Sequence, residues 1–357
     1  MSAPSRLRCL FIKPKMIGDT LLLTPTLNAV RTRHPDAIID VFVRSGCESI
    51  LGGCLAHNEV FTTAPPHMDE ARKTWGGTWA SLRALRRQKY DWIFECSDTE
   101  RGRYAALLAR GRHRVLNRLE LRQHGSRYNR GLWPIVFSYS VDCEIRAHHA
   151  VESNYRLARD FLQLPAQPPG LDFRPMTFDA AAANLRVPAG FTLARSRLVV
   201  HCGTRVAAKS WPDDRWMELV RTLAPHFDQI FVSTGSSASE VGLARQLAAI
   251  ASEKIFCPDG ALPWNQLAAL LQGARLFIGV DTAAMHLAAA CHCPSLVIWG
   301  PTAPIIWGPR AANAVIVLDN RIARPPFGLT EGYDDARLAS RNATTTVTRA
   351  ARELAGL

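Results

Sequence analysis

The stretch from Cys9 to Val43, CLFIKPKMIGDTLLLTPTLNAVRTRHPDAIIDVFV, decides the fold. Cys9 to Ile12 is a short apolar run, a turn covers Pro14 to Gly18, and Thr20 to Arg33 carries apolar residues at helical spacing. After the turn His34-Pro35-Asp36 comes Ile38 to Val43, a β-branched run. Strand, helix and strand in that order imply a parallel sheet with helices packed on it.

Outward from there the alternation continues. A less regular stretch holds Pro65-Pro66 and Gly76-Gly77; a basic helix is then expected over Trp79 to Lys89, leading into a strand at Trp92 to Glu95. Pro165, Pro168, Pro169, Gly170, Pro175 and Pro188 crowd one segment, the composition of a domain linker. Beyond it strands are expected at Leu198–His201, Gln229–Ser233, Leu276–Val280 and Ser295–Trp299. Helices are expected at Pro212–Leu223, Ser239–Ala251, Trp264–Gln272, Thr282–Ala290 and, amphipathic, at Thr345–Leu354. The economical architecture is α/β, two doubly wound halves with a cleft between them and ligands at the carboxyl ends of strands. The expected division is 1–175, 190–335, and a C-terminal helical segment 336–357 that packs back on the first domain.

A length of 357 residues fits about two domains, and 47% hydrophobic residues suffice for real cores. Lys and Arg number 43 against 31 Asp and Glu, a net charge of +12, which points to an anionic partner. No apolar run approaches the roughly 18–20 residues of a membrane span. The opening residues hold only Leu7 to Ile12, interrupted by Arg8, so no secretory signal is expected. The nine cysteines form no C-x-x-C pair, and Cys291-x-Cys293 is too tight for a usual zinc knuckle. They read as small buried apolar residues of a reducing cytosol.

No G-x-G-x-x-G follows either first strand, no G-x-x-x-x-G-K-[ST] occurs, and there is no D-x-D pair to hold Mg²⁺ on a sugar diphosphate. Dehydrogenase and P-loop readings therefore fall away. Any phosphorylated ligand must be met by Lys, Arg and helix N-termini.

Three stretches can carry such chemistry. In the first, Lys13 to Pro25, Gly18 lets the chain turn tightly and Asp19 stands at a helix start. Asp19 there is either an N-cap worth about 1 kcal/mol or a cleft-facing carboxylate. The second runs from His201 to Pro212. Thr204, Arg205 and Lys209 form a cationic lip that suits a diphosphate, or a loop whose cations are only solvated. In the third, Phe277 to His286, a buried strand runs into a helix; Asp281 and Thr282 stand at the strand's end, with His286 four residues on. A lone histidine there is also an ordinary structural residue.

Taken in order, GDTLLLTP near the start, KSWP in the middle, then GVDTAAMHLAAA and WGPTAP, the chain resembles glycosyltransferase family 9, the lipopolysaccharide core heptosyltransferases, along nearly its whole length. Val151 to Ala158 and the wording around Gly18-Asp19 look closest to the heptosyltransferase III type. The resemblance implies a GT-B fold of two Rossmann-like domains with an interdomain cleft. It also implies inverting, metal-independent transfer of a heptose from ADP-heptose to the lipopolysaccharide inner core, with no cofactor. Asp19 matches the family's proposed general base, beside Gly18. Lys209 matches the lysine that neutralises the donor diphosphate, and Thr204 a phosphate-contacting threonine. Asp281, Thr282, Ala283 and His286 match residues lining the sugar and phosphate part of the site, and Glu240 matches an acid that holds the ribose. Ala283 stands where glycine is more usual, so its Cβ narrows a phosphate's approach to that backbone N–H.

Between residues 101 and 130 lie nine arginines, among them Arg101, Arg103, Arg122 and Arg127, against one acid, Glu120. This cluster is expected to meet the carboxylates and phosphates of the acceptor, or the anionic inner leaflet. The resulting picture is a cytoplasmic enzyme, peripheral at the inner membrane. A nucleic-acid partner has no zinc finger, RNP motif or helix-turn-helix to support it. Two alternatives remain within the family: another acceptor, including a protein, or a homologue that only binds the nucleotide sugar.

Overall fold

A computed structural model describes residues 6–63, 80–118, 133–174, 192–193, 196–258, 260–328 and 338–357. The chain divides into two compact units, Met1–Gly170 and Leu171–Leu357. The boundary falls inside the Pro-rich segment but ahead of residue 175, and the Phe173 N–H already bonds to Ala290 O of the second unit at 3.1 Å. The part of the expected linker from 175 to 188 lies outside the described residues.

The first unit is built on strands β1 (Arg8–Lys13), β2 (Ile38–Arg44), β3 (Val60–Thr63), β4 (Lys89–Glu95), β5 (Arg110–Asn117) and β6 (Tyr139–Val141). They are ordered β3-β2-β1-β4-β5-β6 and every pairing is parallel. β1 is buried from Cys9 to Lys13, and Cys9–Ile12 within it is the continuous apolar run of a strand covered on both faces. The expected helix Thr20–Arg33 is two helices, Ile17–Leu21 and Thr24–Arg33. Pro25 explains the break: lacking an N–H and fixed at helical φ, it starts a helix and cannot continue one. β5 was hidden in the arginine cluster. Its pattern, exposed at Arg110 and Arg112 but buried from Val115 to Asn117, is that of a strand leaving solvent for the core.

The second sheet holds β7 (Arg197–His201), β8 (Gln229–Ser233), β9 (Ile255–Phe256), β10 (Leu276–Val280), β11 (Ser295–Ile298), β12 (Ala314–Leu318) and β13 (Arg321–Ala323). Its order is β13-β12-β11-β10-β7-β8-β9, parallel except for the final β12–β13 hairpin. Two strands thus follow the run expected to be last. Ile230, Ile278, Leu296 and Val315 lie in one core with Trp216 and Leu219 of helix Asp213–Leu223. Helix Thr344–Ala355 adds Val347, Ala350 and Ala351 to that same core. The C-terminal helix is therefore part of the second unit. Its apolar stripe is already used up against β10, β11 and β12.

In both sheets the chain reverses its direction of growth once, between β1 and β4 in the first and between β7 and β10 in the second. Ligands of doubly wound sheets sit outside the carboxyl ends of strands at such switch points. All three chemistry-bearing stretches follow one of these four strands.

Candidate functional site

In the first unit β1 ends at Lys13, and a turn closes with the Lys15 N–H on Lys13 O at 2.8 Å. Gly18 does not make that turn. It is the second residue of helix Ile17–Leu21, whose N-cap is Met16. Asp19 is therefore not an N-cap; it lies in the first turn, half-buried, and its Oδ1 is buried without a hydrogen-bond partner. Such an atom is costly unless something supplies a proton donor.

Lys13 is buried beside it at 5% exposure. Its Nζ donates to Cys96 O at 2.6 Å and to Asn154 Oδ1 at 2.8 Å, while Asn154 Nδ2 donates to Leu22 O at 3.1 Å. Burial and then Lys15 push the Lys13 pKa down, and Asp19 partly offsets them. Across the switch point, Glu95 at the end of β4 is fully buried. It accepts from Ser97 N at 2.9 Å, from Asp98 N at 3.1 Å and from the Ser97 hydroxyl, and burial pushes its pKa up.

Of the arginines, Arg101, Arg110 and Arg112 are exposed. Arg103, expected to meet the acceptor, is 2% exposed beneath helix Glu100–Leu108 and reaches Glu100 at 3.4 Å. Its position, two residues after the outward-facing Arg101, turns it toward the sheet. Arg114 is spent on three backbone carbonyls, those of Ala106, Ala109 and Gly111, and Arg118 pairs with Asp142. Arg122 and Arg127 lie outside the described residues.

In the second unit β7 and β10 are neighbours, with Gly279 opposite His201, so the second and third stretches leave the sheet side by side. The sequence placed them 80 residues apart; the parallel pairing joins them. Lys209, in the turn Ala207–Lys209, forms an ion pair with Asp281 Oδ2 at 2.7 Å, with the two side chains 19% and 6% exposed. The same Oδ2 accepts from Thr302 Oγ1 at 2.5 Å. Lys209 is thus neither a solvated lip cation nor a free one. Arg205 is exposed, and Thr204 Oγ1 accepts from Val206 N at 3.2 Å, an ST-turn that fixes the loop.

Thr282 caps helix Ala283–Ala290 by position, yet its hydroxyl turns back to Val280 O at 3.4 Å and makes no cap bond. The positive end of that helix is left without a side-chain cap, and Thr282 and Ala283 are both half-buried there. His286 is 4% exposed on the core side of the helix.

Glu240 closes the other flank. With Ser237 it forms a capping box on helix Ala238–Ala248, accepting from Ser237 N at 3.2 Å and from Ser237 Oγ at 2.8 Å. Its carboxylate lies over two glycines at the ends of β7 and β8. A Cβ at Gly203 would stand 2.4 Å from Oε1, and one at Gly235 2.4 Å from Oε2. His201, whose Nδ1 lies 2.8 Å from Ser233 Oγ, is pushed by burial down to about 4 and stays neutral.

The second switch point thus offers a paired lysine, an uncapped helix N-terminus and a carboxylate held over bare backbone, groups fit for a nucleotide diphosphate and its ribose. Sequence reasoning missed Thr302, although it quoted the motif, and missed Asn342. Asn342 is fully buried; its side-chain Nδ2 donates to Trp299 O at 2.9 Å, and its main-chain O accepts from Trp211 Nε1 at 2.8 Å.

The model for glycosyltransferase family 9 (heptosyltransferase) matches residues 78–335. Lipopolysaccharide heptosyltransferase 3 of Escherichia coli is 24% identical over 301 residues, covering 84% of this chain and 85% of that protein. Lipopolysaccharide heptosyltransferase 1 of E. coli K12 is 26% identical over 321 residues, covering 87% and 93%. The two kinds stand at nearly equal identity, so likeness alone does not choose the acceptor position. The solved structure of E. coli heptosyltransferase WaaC with ADP matches with a TM-score of 0.73 at 22% identity, over 98% of this chain and all of that one. The shared fold is GT-B, two Rossmann-like units in one chain.

Proposed function

Because the chain belongs to glycosyltransferase family 9, the heptosyltransferases, and is a glycosyltransferase, we propose that it moves a heptose from ADP-heptose onto the inner core of lipopolysaccharide. Inversion at the anomeric carbon and independence of metal complete the reading. The observation that carries it is the second unit's switch point, where Lys209, the N-terminus of helix Ala283–Ala290 and Glu240 converge. With no D-x-D pair in the sequence, leaving-group charge falls to Lys209 and backbone N–H groups.

In this reading Glu240 takes the ribose hydroxyls, while Thr204, Thr282 and the Ala283 N–H take the phosphates. Lys209 donates to the diphosphate as the bond from its oxygen to the anomeric carbon breaks. The acceptor hydroxyl forms the new bond to that carbon from the opposite face, and its proton passes to Asp19. The unpartnered Asp19 Oδ1 supports the assignment, for a carboxylate oxygen without a hydrogen bond is ready to accept one. Lys13 Nζ lies nearby, held by Cys96 O and Asn154 Oδ1.

Exposed Arg101, Arg110 and Arg112 stand with exposed Tyr104, Leu107 and Leu108 on and beside helix Glu100–Leu108. A basic and apolar face of this kind suits an anionic leaflet and a lipid-linked acceptor. We place the enzyme at the cytoplasmic side of the inner membrane on that ground.

The test is transfer itself. Purified protein with ADP-heptose and a truncated core acceptor should give a product heavier by one heptose in mass spectrometry. Asp19→Asn should lower turnover by about 10²- to 10⁴-fold while ADP affinity stays close to wild type. Full turnover in that variant removes Asp19 from the mechanism, and absence of any heptosyl product with the unmodified protein removes the acceptor assignment.

A further inference from the structure

The sequence Trp299-Gly-Pro-Thr302 has no task in the transfer just described, yet its last residue touches the ion pair at the centre of the site. We propose that Thr302 is a positioning residue: its hydroxyl holds the Asp281 carboxylate, and through it the Lys209 ammonium, in the orientation that meets the departing diphosphate. The inference rests on the role given to Lys209 above and extends it by one residue.

Asp281 Oδ2 is the acceptor for two donors, Lys209 Nζ at 2.7 Å and Thr302 Oγ1 at 2.5 Å. The second bond does two things. It fixes the carboxylate's rotation, which would otherwise leave the lysine free to swing with it. It also draws electron density from the oxygen that Lys209 contacts, so less of the ammonium charge is cancelled and more is left for the leaving group.

Thr302 is itself held. Trp299 Nε1 donates to Thr302 O at 2.7 Å, and Asn342 Nδ2 donates to Trp299 O at 2.9 Å. On its other side Asn342 O accepts from Trp211 Nε1 at 2.8 Å, two residues beyond Lys209. Trp211, Trp299 and Asn342 are all buried, so the turn carrying the lysine and the turn carrying the threonine hang on one residue, through its main-chain carbonyl and its side-chain amide. Gly300 completes the contact: a Cβ there would come within 3.0 Å of Ala208 O and 3.5 Å of Lys209 Cα. Orienting shells built this way set the geometry of the charge they surround.

Thr302→Val keeps the shape and removes the proton donor. Its kcat should fall on the order of tenfold, the scale on which loss of an orienting partner acts, with KM for the nucleotide sugar within about twofold. Thr302→Ser should recover most of the loss, and Thr302→Ala repeats the test should valine not fold. In a Lys209→Met background Thr302→Val should add nothing, because the residue it positions is gone. Wild-type kcat in Thr302→Val, serine behaving like valine, or a full additional loss on Lys209→Met would each overturn the proposal. Wild-type kcat in Lys209→Met alone would instead overturn the reading of Lys209 on which it stands.

Discussion

Adding one methyl group at Gly203 tests the proposed nucleotide half of the site more sharply than removing a charge. The new Cβ would lie 2.4 Å from Glu240 Oε1, 2.9 Å from its Cδ and 3.2 Å from Gly235 N. The first two neighbours are the tip of a flexible side chain, so the carboxylate gives way, while the backbone at Gly235 must yield by a few tenths of an ångström. The cost to stability is then the lost capping box, about 1 kcal/mol, or roughly 2–4 °C in melting temperature for a unit of this size. The cost to the ligand is larger. A charged acceptor moved off a ribose hydroxyl forfeits about 1.5–3 kcal/mol, which is about 10- to 100-fold in Kd for ADP.

Gly235→Ala should act alike, since its Cβ would stand 2.4 Å from Oε2. Gly242→Ala, on the same helix as Glu240 with nothing within 4 Å, should leave ADP binding alone and stabilise by about 0.5–1 kcal/mol. Isothermal titration with ADP, paired with thermal melts, separates the two effects. ADP affinity of Gly203→Ala equal to that of Gly242→Ala would refute the placement of Glu240 at the nucleotide.

Two further outcomes are expected. His201 is held near 4 when folded against an ordinary 6.5, so between those values the unfolded chain binds a proton that the folded chain refuses. Its contribution is intact above pH 6.5 and is lost as pH falls toward 4, by at most roughly 3 kcal/mol. His201→Asn should flatten the urea-denaturation stability curve in that window, and identical curves would clear His201 of the effect. Reversing Arg101 and Arg112 to Glu should weaken sedimentation with phosphatidylglycerol vesicles by at least about tenfold, from roughly 1 kcal/mol per basic residue, and unchanged sedimentation would discard the membrane face.

Periodicity is a local property, and the elements that carry the site were legible through it. The buried runs at Cys9–Ile12, Leu198–His201 and Leu276–Val280 fall inside β1, β7 and β10. The positions at strand ends also followed from sequence, because in a parallel sheet chemistry gathers where strand gives way to helix. β5 was masked because charged residues on a half-exposed strand imitate a solvated stretch. Arg103 misled for a related reason: a basic residue in a basic run reads as surface, and only the packing of helix Glu100–Leu108 shows that it turns inward.

Sequence alone thus determined the strand–helix alternation, the two-part division and the residue types able to meet a diphosphate without D-x-D, all consequences of spacing and composition along the chain. Tertiary structure alone decided that Lys209 is held by Asp281, that Thr302 shares its carboxylate, and that Glu240 rests on two glycines. Those contacts join residues 72, 21 and up to 37 positions apart. They depend on which strands become neighbours, and pairing across a sheet leaves no periodic trace in the chain that forms it.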